Sequence, residues 1–301
     1  MKEFVSICKK SQSELKKYVT KKLSETHNKV IEANGYVYAQ GSFPVLLVAH
    51  LDTVHEKLPA EILYDTETMT ISSSNGIGGD DRCGVYMIFE IIKHHNCSVL
   101  FCEDEEIGGK GADAFTESEL AKGLEFNYII ELDRKGENDA VFYDCDNEDF
   151  EKFITQDFYK TAYGSFSDIS IIAPVLKCAA VNLSCGYYKA HTKDEYVIMP
   201  QMVNGIKEVC KILERTTDEN KYEYIEAKNR YFNWEGYGFD LQESFCIEYY
   251  ENGMQFEIIS AKSVEEAIGK LFMLHTSICY DQVVDIYPLC DDEDDVYSYT
   301  R

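Results

Sequence analysis

Along the first 217 residues, short apolar runs alternate with stretches of helical period. The runs predict strands over Tyr36–Ala39, Val45–Ala49, Ser98–Cys102, Tyr128–Leu132 and Ala179–Leu183. Within Gly84–His95, Val85, Ile88, Phe89 and Ile92 recur at i, i+3, i+4 and i+7, one apolar face of a helix. The same period predicts helices over Ala112–Lys122, Asp149–Tyr159 and Pro200–Glu214, while residues 61–73 read as a β-hairpin. Near-continuous apolar strands separated by helices predict an α/β fold, a mostly parallel sheet covered by helices on both faces.

The pattern changes after residue 217. Residues 218–233 are polar and aromatic without a clear period and read as a linker. Residues 234–301 then predict a small ββαβ unit. Two strand-like runs flank Glu251-Asn252-Gly253, and Ser263 with Glu266 forms a capping box before an apolar helix. A last strand, VVDIYPL, precedes an acidic tail around Asp291–Asp295.

With 301 residues and 45% hydrophobic content, the chain supports one sizeable core and a small second domain. Its formal net charge of -25 argues against nucleic acid or an anionic membrane surface as a partner, since both require basic patches. The N-terminus lacks a signal-like apolar stretch, and no apolar run reaches the length of a membrane span. The eleven cysteines are scattered without a C-x-x-C pair. The expectation is therefore reduced thiols in a cytoplasmic protein.

Candidate chemistry gathers at strand ends. VLLVA runs into His50-Leu51-Asp52, SVLFC into Glu103, Asp104, Glu105 and Glu106, and NYIIEL into Asp133. In a doubly wound sheet the carboxyl ends of strands line the ligand crevice, so these groups converge. A glycine-rich loop, NGIGGDDRCG, brings Asp80 and Asp81, and CGYYKAHTKDE brings His191 after a further apolar strand. Two imidazoles with several carboxylates form a nitrogen–oxygen set suited to Zn²⁺, Mn²⁺ or Co²⁺. One bridging carboxylate lets such a set hold two ions roughly 3.5–4 Å apart. Four adjacent acids are tolerable where divalent cations neutralise them.

In order and spacing, HLDTVH, GGDDRCG, EDEEIGGKGA, ELD and the late His191 resemble the di-zinc exopeptidases, the superfamily of zinc-dependent aminopeptidases and their relatives. The resemblance spans about residues 10–215 and implies a di-metal peptidase domain over residues 1–217. Carried over by position, it implies one ion held by His50, Asp80 and Asp133, and a second by Asp80, Glu106 and His191. Asp80 would bridge. Asp52 would orient the His50 imidazole, and Glu105 would be the general base acting on a water between the metals. The motif by itself does not separate Glu105 from Glu106. The resemblance also implies a cis Asp80–Asp81 peptide.

Some branches of the superfamily insert a lid domain before the final His, but only 57 residues separate Asp133 from His191 here. Others insert a β-domain before the bridging Asp, where this chain has 29 residues. Groups a lid would supply must come from loops, the C-terminal unit or a second subunit of a homo-oligomer. The implied activity is exopeptidase hydrolysis of short peptides. An amidohydrolase acting on N-acyl amino acids and a catalytically silent, metal-stabilised scaffold are the alternatives.

Neighbouring residues have plainer readings. His55 reads as a surface-loop residue, His94 and His95 as cations at a helix C-terminus, and Arg82 as a salt-bridge partner. Cys83 reads as a small buried residue at a helix start, and Tyr187 and Tyr188 as aromatic packing. Asp81 reads equally as an acid behind the metal ligands or as a turn residue. GSFSD (164–168) loosely resembles a loop lining the substrate pocket in relatives.

Overall fold

The structure, a computed structural model, describes residues 1–164, 166–227, 243–250, 254–261, 264–275 and 283–289. The chain divides into two compact units, Met1–Thr161 with Ser167–Lys228, and Ala162–Phe166 with Asn229–Arg301.

The larger unit opens with helices α1 (Lys2–Cys8) and α2 (Gln12–Leu23), where the hydrophobic pattern had indicated no element. Ser11 starts α2 with a capping box: its hydroxyl accepts from the Glu14 amide, and the Glu14 carboxylate accepts from the Ser11 amide. Leu15, Val19 and Leu23, four residues apart, are all buried. Strands β1 (Lys29–Ala33), β2 (Tyr36–Gln40) and β3 (Phe43–His50) lead to the hairpin β4 (Leu63–Asp65) and β5 (Thr70–Ser72). Helix α3 (Gly79–Ile91), β6 (Cys97–Cys102), α4 (Lys110–Thr116), β7 (Tyr128–Arg134) and β8 (Asp139–Val141) follow. The unit continues through α5 (Glu148–Thr155), β9 (Lys160–Ala162), α6 (Asp168–Leu176), β10 (Ala180–Ser184), β11 (Tyr187–Tyr188), β12 (Tyr196–Ile198) and α7 (Met199–Glu214).

Eight strands form a mixed sheet in the order β1-β2-β6-β3-β7-β10-β8-β9. Its centre, β6-β3-β7-β10, is parallel, whereas β1-β2-β6 and β10-β8 pair antiparallel. This is the expected α/β fold, with short antiparallel pairings reserved for the margins.

Alternation along the buried strands sorts side chains between the two faces. Leu47 and Ala49 join a cluster that includes Ile88 and Ile91 of α3 and Met202 and Val209 of α7. Leu46, Val48 and Ile129 join Phe115 of α4 and Ile169 and Ile172 of α6 on the other face. Each such aliphatic side chain contributes about 1.5–3 kcal/mol on full burial. The same parity extends the second face to His50 at the end of β3, and to Glu131 and Asp133 in β7. Apolar packing thus aims the chemistry.

Helix α3 begins earlier than its apolar stripe implies. Asp80 and Asp81 lie at its start with non-helical backbone angles, joined by a cis peptide bond. Asp81 Oδ1 accepts from the Gly84 amide at 2.8 Å and caps the regular turns that follow. Gly84 lies directly on β7, and a Cβ there would meet the Leu132 carbonyl oxygen at 1.8 Å. Gly84→Ala should therefore cost at least about 2 kcal/mol, read as a lowered midpoint in urea unfolding. An unchanged midpoint would contradict this close approach.

Residues 218–227 do not form a free linker. Tyr222 N–H donates to the Asn127 carbonyl at 2.8 Å, and Asp146 N–H to the Ile225 carbonyl at 2.7 Å. The Tyr222 ring packs against Phe150 and Phe153, so burying this aromatic ties the strap to the larger unit. Residues 228–233 lie outside the described residues.

The smaller unit contains β13 (Glu243–Tyr250), β14 (Met254–Ala261), α8 (Val264–Leu274) and β15 (Val283–Leu289), a ββαβ order with antiparallel pairing throughout. Ile247, Ile259, Ala267, Leu271 and Ile286 form its core. The Glu251-Asn252-Gly253 turn, the Ser263 cap and the acidic tail lie outside the described residues. Among those described, no helix is long and apolar enough to cross a membrane, and nine cysteines are free.

Candidate metal centre

The carboxyl ends of three adjacent parallel strands converge as the doubly wound topology requires. His50 closes β3, the acidic run follows β6, and Asp133 lies near the end of β7. Asp80 enters from the start of α3, and His191 from the loop between β11 and β12, at φ 62°.

Asp80 divides its carboxylate between the two imidazoles. Oδ1 lies 2.9 Å from His50 Nε2, and Oδ2 lies 3.1 Å from His191 Nε2. Each imidazole has a further acid of its own: Asp133 Oδ1 is 3.4 Å from His50 Nε2, and Glu106 Oε2 is 3.1 Å from His191 Nε2. Two sets of ligand-type atoms result, His50–Asp80–Asp133 and Asp80–Glu106–His191, each within 4.8 Å. They share only Asp80. Glu105 belongs to neither, and its carboxylate groups instead with His50 and Glu106.

Asp52 stands behind this arrangement. Its Oδ1 pairs with His50 Nδ1 at 3.1 Å and accepts the Glu105 amide at 3.1 Å, while Oδ2 accepts the Glu106 amide at 3.1 Å. One carboxylate therefore sets the direction of His50 Nε2 and also the backbone that carries both glutamates.

The four adjacent acids split into two pairs. Glu103 contacts the Lys16 ammonium and accepts the Gly35 amide at 3.1 Å. Asp104 accepts from Gln12 Nε2 at 3.0 Å. Glu105 and Glu106 are the two that face the imidazoles. Helix α2, which supplies Gln12 and Lys16, thereby holds the front of the loop.

Several supporting residues differ from the sequence expectation. Arg82 is buried and donates to the carbonyls of Leu51 (2.6 Å), Asp52 (3.0 Å) and Lys10 (3.3 Å). Its guanidinium fixes the segment after His50 through backbone carbonyls, where a salt bridge had been expected. Asp81 does both tasks open to it: besides capping α3, its Oδ2 accepts the His50 amide at 3.2 Å. Tyr187 is buried, and its hydroxyl donates to Asp133 Oδ1 at 3.3 Å; Tyr188 stacks on Tyr196. His55 does not lie free on a surface loop. Its Nε2 pairs with Glu195 Oε2 at 2.7 Å.

Sequence reasoning missed Glu195, Asn182 and Glu131. Glu195 is buried, and accepts the Asp80 amide at 3.0 Å and the Gly78 amide at 2.8 Å. Asn182 brackets Asp133, accepting its amide at 2.9 Å and donating to its carbonyl at 3.0 Å. Ser167, from the GSFSD loop, donates to Asp133 Oδ2 at 3.2 Å and also contacts Glu131. The period of two placing Glu131 beside Asp133, and the shared segment carrying His191 and Glu195, were the available signals.

So many acids in a dry crevice perturb one another. Burial, reinforced by Asp80, pushes Asp133 up to about 7. Burial likewise raises Glu106, and raises Glu105 well above the usual carboxylate range, with Asp133 adding to the latter effect. Burial opposes a charged His50 or His191, but the facing carboxylates outweigh it and raise both imidazoles well above their ordinary value. Asp80 goes the other way: burial is outweighed by hydrogen bonds from both imidazoles, which hold its carboxyl below the usual range. Glu106 Oε1 is buried without a hydrogen-bond partner. A nitrogen–oxygen donor set with an unsatisfied buried oxygen, crowded with acids that burial penalises when charged, suits divalent ions.

No protein family matches the chain by sequence, and no curated protein does. Solved structures match by fold. Aminopeptidase PepT from Bacillus cereus superposes with a TM-score of 0.59 at 14% identity, covering 71% of this chain and 96% of that one. A tripeptidase from Staphylococcus aureus gives 0.56 at 13%, covering 70% and 96%. An aminopeptidase from the archaeon Desulfurococcus kamchatkensis gives 0.55 at 15%, covering 73% and 95%. The chain has the fold of these aminopeptidases.

Proposed function

We propose that the protein is a di-metal exopeptidase that hydrolyses short peptides. The observation carrying this reading is the split carboxylate of Asp80, one oxygen to each imidazole, with Asp133 and Glu106 completing two separate sets. The fold shared with aminopeptidases supports peptides as the substrate class.

His50, Asp80 and Asp133 would hold one divalent ion, zinc in the first instance, and Asp80, Glu106 and His191 the other. When bound, such ions supply Lewis-acid polarisation of a carbonyl and acidify water. The chain supplies the rest. Asp52 keeps the His50 Nδ1 proton engaged so that Nε2 faces the centre. Glu105, left out of both Asp80 sets, is the proton acceptor: it takes a proton from water and returns it to the leaving amine. A carboxylate beside the two sets that share Asp80, and in neither, is placed for both halves of that task. Asp81, Asn182 and Arg82 hold the backbone on which these side chains depend.

Elemental analysis of chelator-free protein tests the reading, with close to two divalent ions per chain expected. Zn²⁺ added to stripped protein at roughly a thousand times Kd should stabilise the fold by about 4 kcal/mol for each site filled, read as a higher melting temperature. Cations compete with protons for the His50 and His191 nitrogens, where the facing carboxylates favour the protonated form, so affinity should rise with pH and protons should be released. Folded protein that takes up no Zn²⁺, Mn²⁺ or Co²⁺ would sink the proposal. Cleavage of free-amine peptides, set against N-acyl amino acids, then tests the substrate class.

A further inference from the structure

We propose that Glu195 is a positioning residue that places the bridging carboxylate of Asp80 and thereby sets the affinity of the centre for its cations. The inference rests on the two-cation reading above and assigns a role to a residue outside both ligand sets.

Three donors converge on this buried carboxylate. Oε1 accepts the Asp80 amide at 3.0 Å; Oε2 accepts the Gly78 amide at 2.8 Å and pairs with His55 Nε2 at 2.7 Å. A carboxylate only accepts, so His55 presents its proton on Nε2. A glutamine here would turn its NH₂ toward at least one donor. A buried charge lacking such partners is costly, and these three contacts compensate it.

The same five-residue segment grips Asp80 at both ends. His191 faces the Asp80 side chain at 3.1 Å, and Glu195 holds the Asp80 amide. The glycine-rich loop is shaped to permit this. Gly76 has φ +80°, and a Cβ on it would meet the His55 ring at 2.2 Å. A Cβ on Gly79 would meet the Tyr187 Cβ at 2.7 Å. The loop therefore lies flat on the His55–Glu195 pair, and that pair decides where the Asp80 backbone sits. His55 begins five residues beyond His50, so one latch ties together the segments bearing His50, Asp80 and His191.

Titration of stripped protein with Co²⁺ alone, followed by visible absorption and calorimetry, tests the role. Glu195→Gln should bind Co²⁺ about 10–100-fold more weakly per folded chain and show an altered visible band. His55→Ala should weaken binding less, and His55→Gln, which restores an Nε donor, should recover part of the loss. A lower melting temperature with wild-type Co²⁺ affinity and an unchanged band would mean that Glu195 only packs the loop, and would overturn the proposal. Should Glu195→Gln fail to fold, the His55 pair decides: wild-type affinity in His55→Ala overturns it equally. Wild-type protein that binds no Co²⁺ defeats the two-cation reading itself, an outcome visible before any variant is made.

Discussion

If the protein is the proposed di-metal peptidase, Glu105→Gln should leave it folded with two ions still bound and lower turnover at least about a hundredfold. The substitution preserves size and the backbone amide that Asp52 accepts at 3.1 Å. It removes only the ability to take a proton. Glu105 lies outside the two sets that share Asp80, so metal content should be unaffected. Nor should stability of the stripped protein fall, because burial and the charge of Asp133 disfavour the ionised form that glutamine replaces with a neutral group of the same size. Peptide hydrolysis measured beside elemental analysis separates the effects. Turnover within threefold of wild type would remove Glu105 from the chemistry, whereas loss of an ion would make it a ligand.

The second large effect is expected at Asp80. Two oxygens of one carboxylate serve two imidazoles, 2.9 and 3.1 Å away. Asparagine keeps one oxygen and turns an NH₂ toward the other side, so Asp80→Asn cannot bridge. Loss of a partner behind a ligand typically lowers metal affinity 10–100-fold, and loss of a shared ligand should exceed that. We expect at least one ion to dissociate and hydrolysis to fall to background, read by metal competition against a chelator and by peptide assay. Retention of two ions at wild-type affinity would show that the bridge lies elsewhere.

The contrast between Glu106 and Glu195 shows what a sequence carries and what it hides. Glu106 follows an apolar strand in a run of four acids, and strand ends in such a sheet converge by topology, while its distinction from Glu105 came from the family resemblance. Glu195 sits four residues after His191 among ordinary polar residues, and its meaning comes from amides more than a hundred positions away. Backbone amides leave no trace in residue identity. Arg82 escaped for the same reason: its partners are carbonyls, so charge complementarity pointed to an acid in place of the backbone.

The residues after 217 show a related limit. Their lack of period was legible and suggested a linker, but Tyr222 and Tyr224 pack against the larger unit's core. Contacts made by single aromatics have no periodicity to read. At the opposite end, α1 and α2 are short, and a capping box at Ser11 outlines α2 more clearly than its hydrophobic pattern does.

The sequence by itself determined the α/β class, the central strands, the later hairpin-and-helix unit and the chemical inventory of the crevice. These follow from local periodicity and from the rule that parallel strands are buried on both faces. Only the tertiary structure decided the antiparallel margins of the sheet, the split of the four acids, and the anchoring of Asp80 between His191 and Glu195. Those features depend on which distant backbone groups meet. That meeting is settled by the packing of the whole chain, because each buried donor and acceptor must find its partner there.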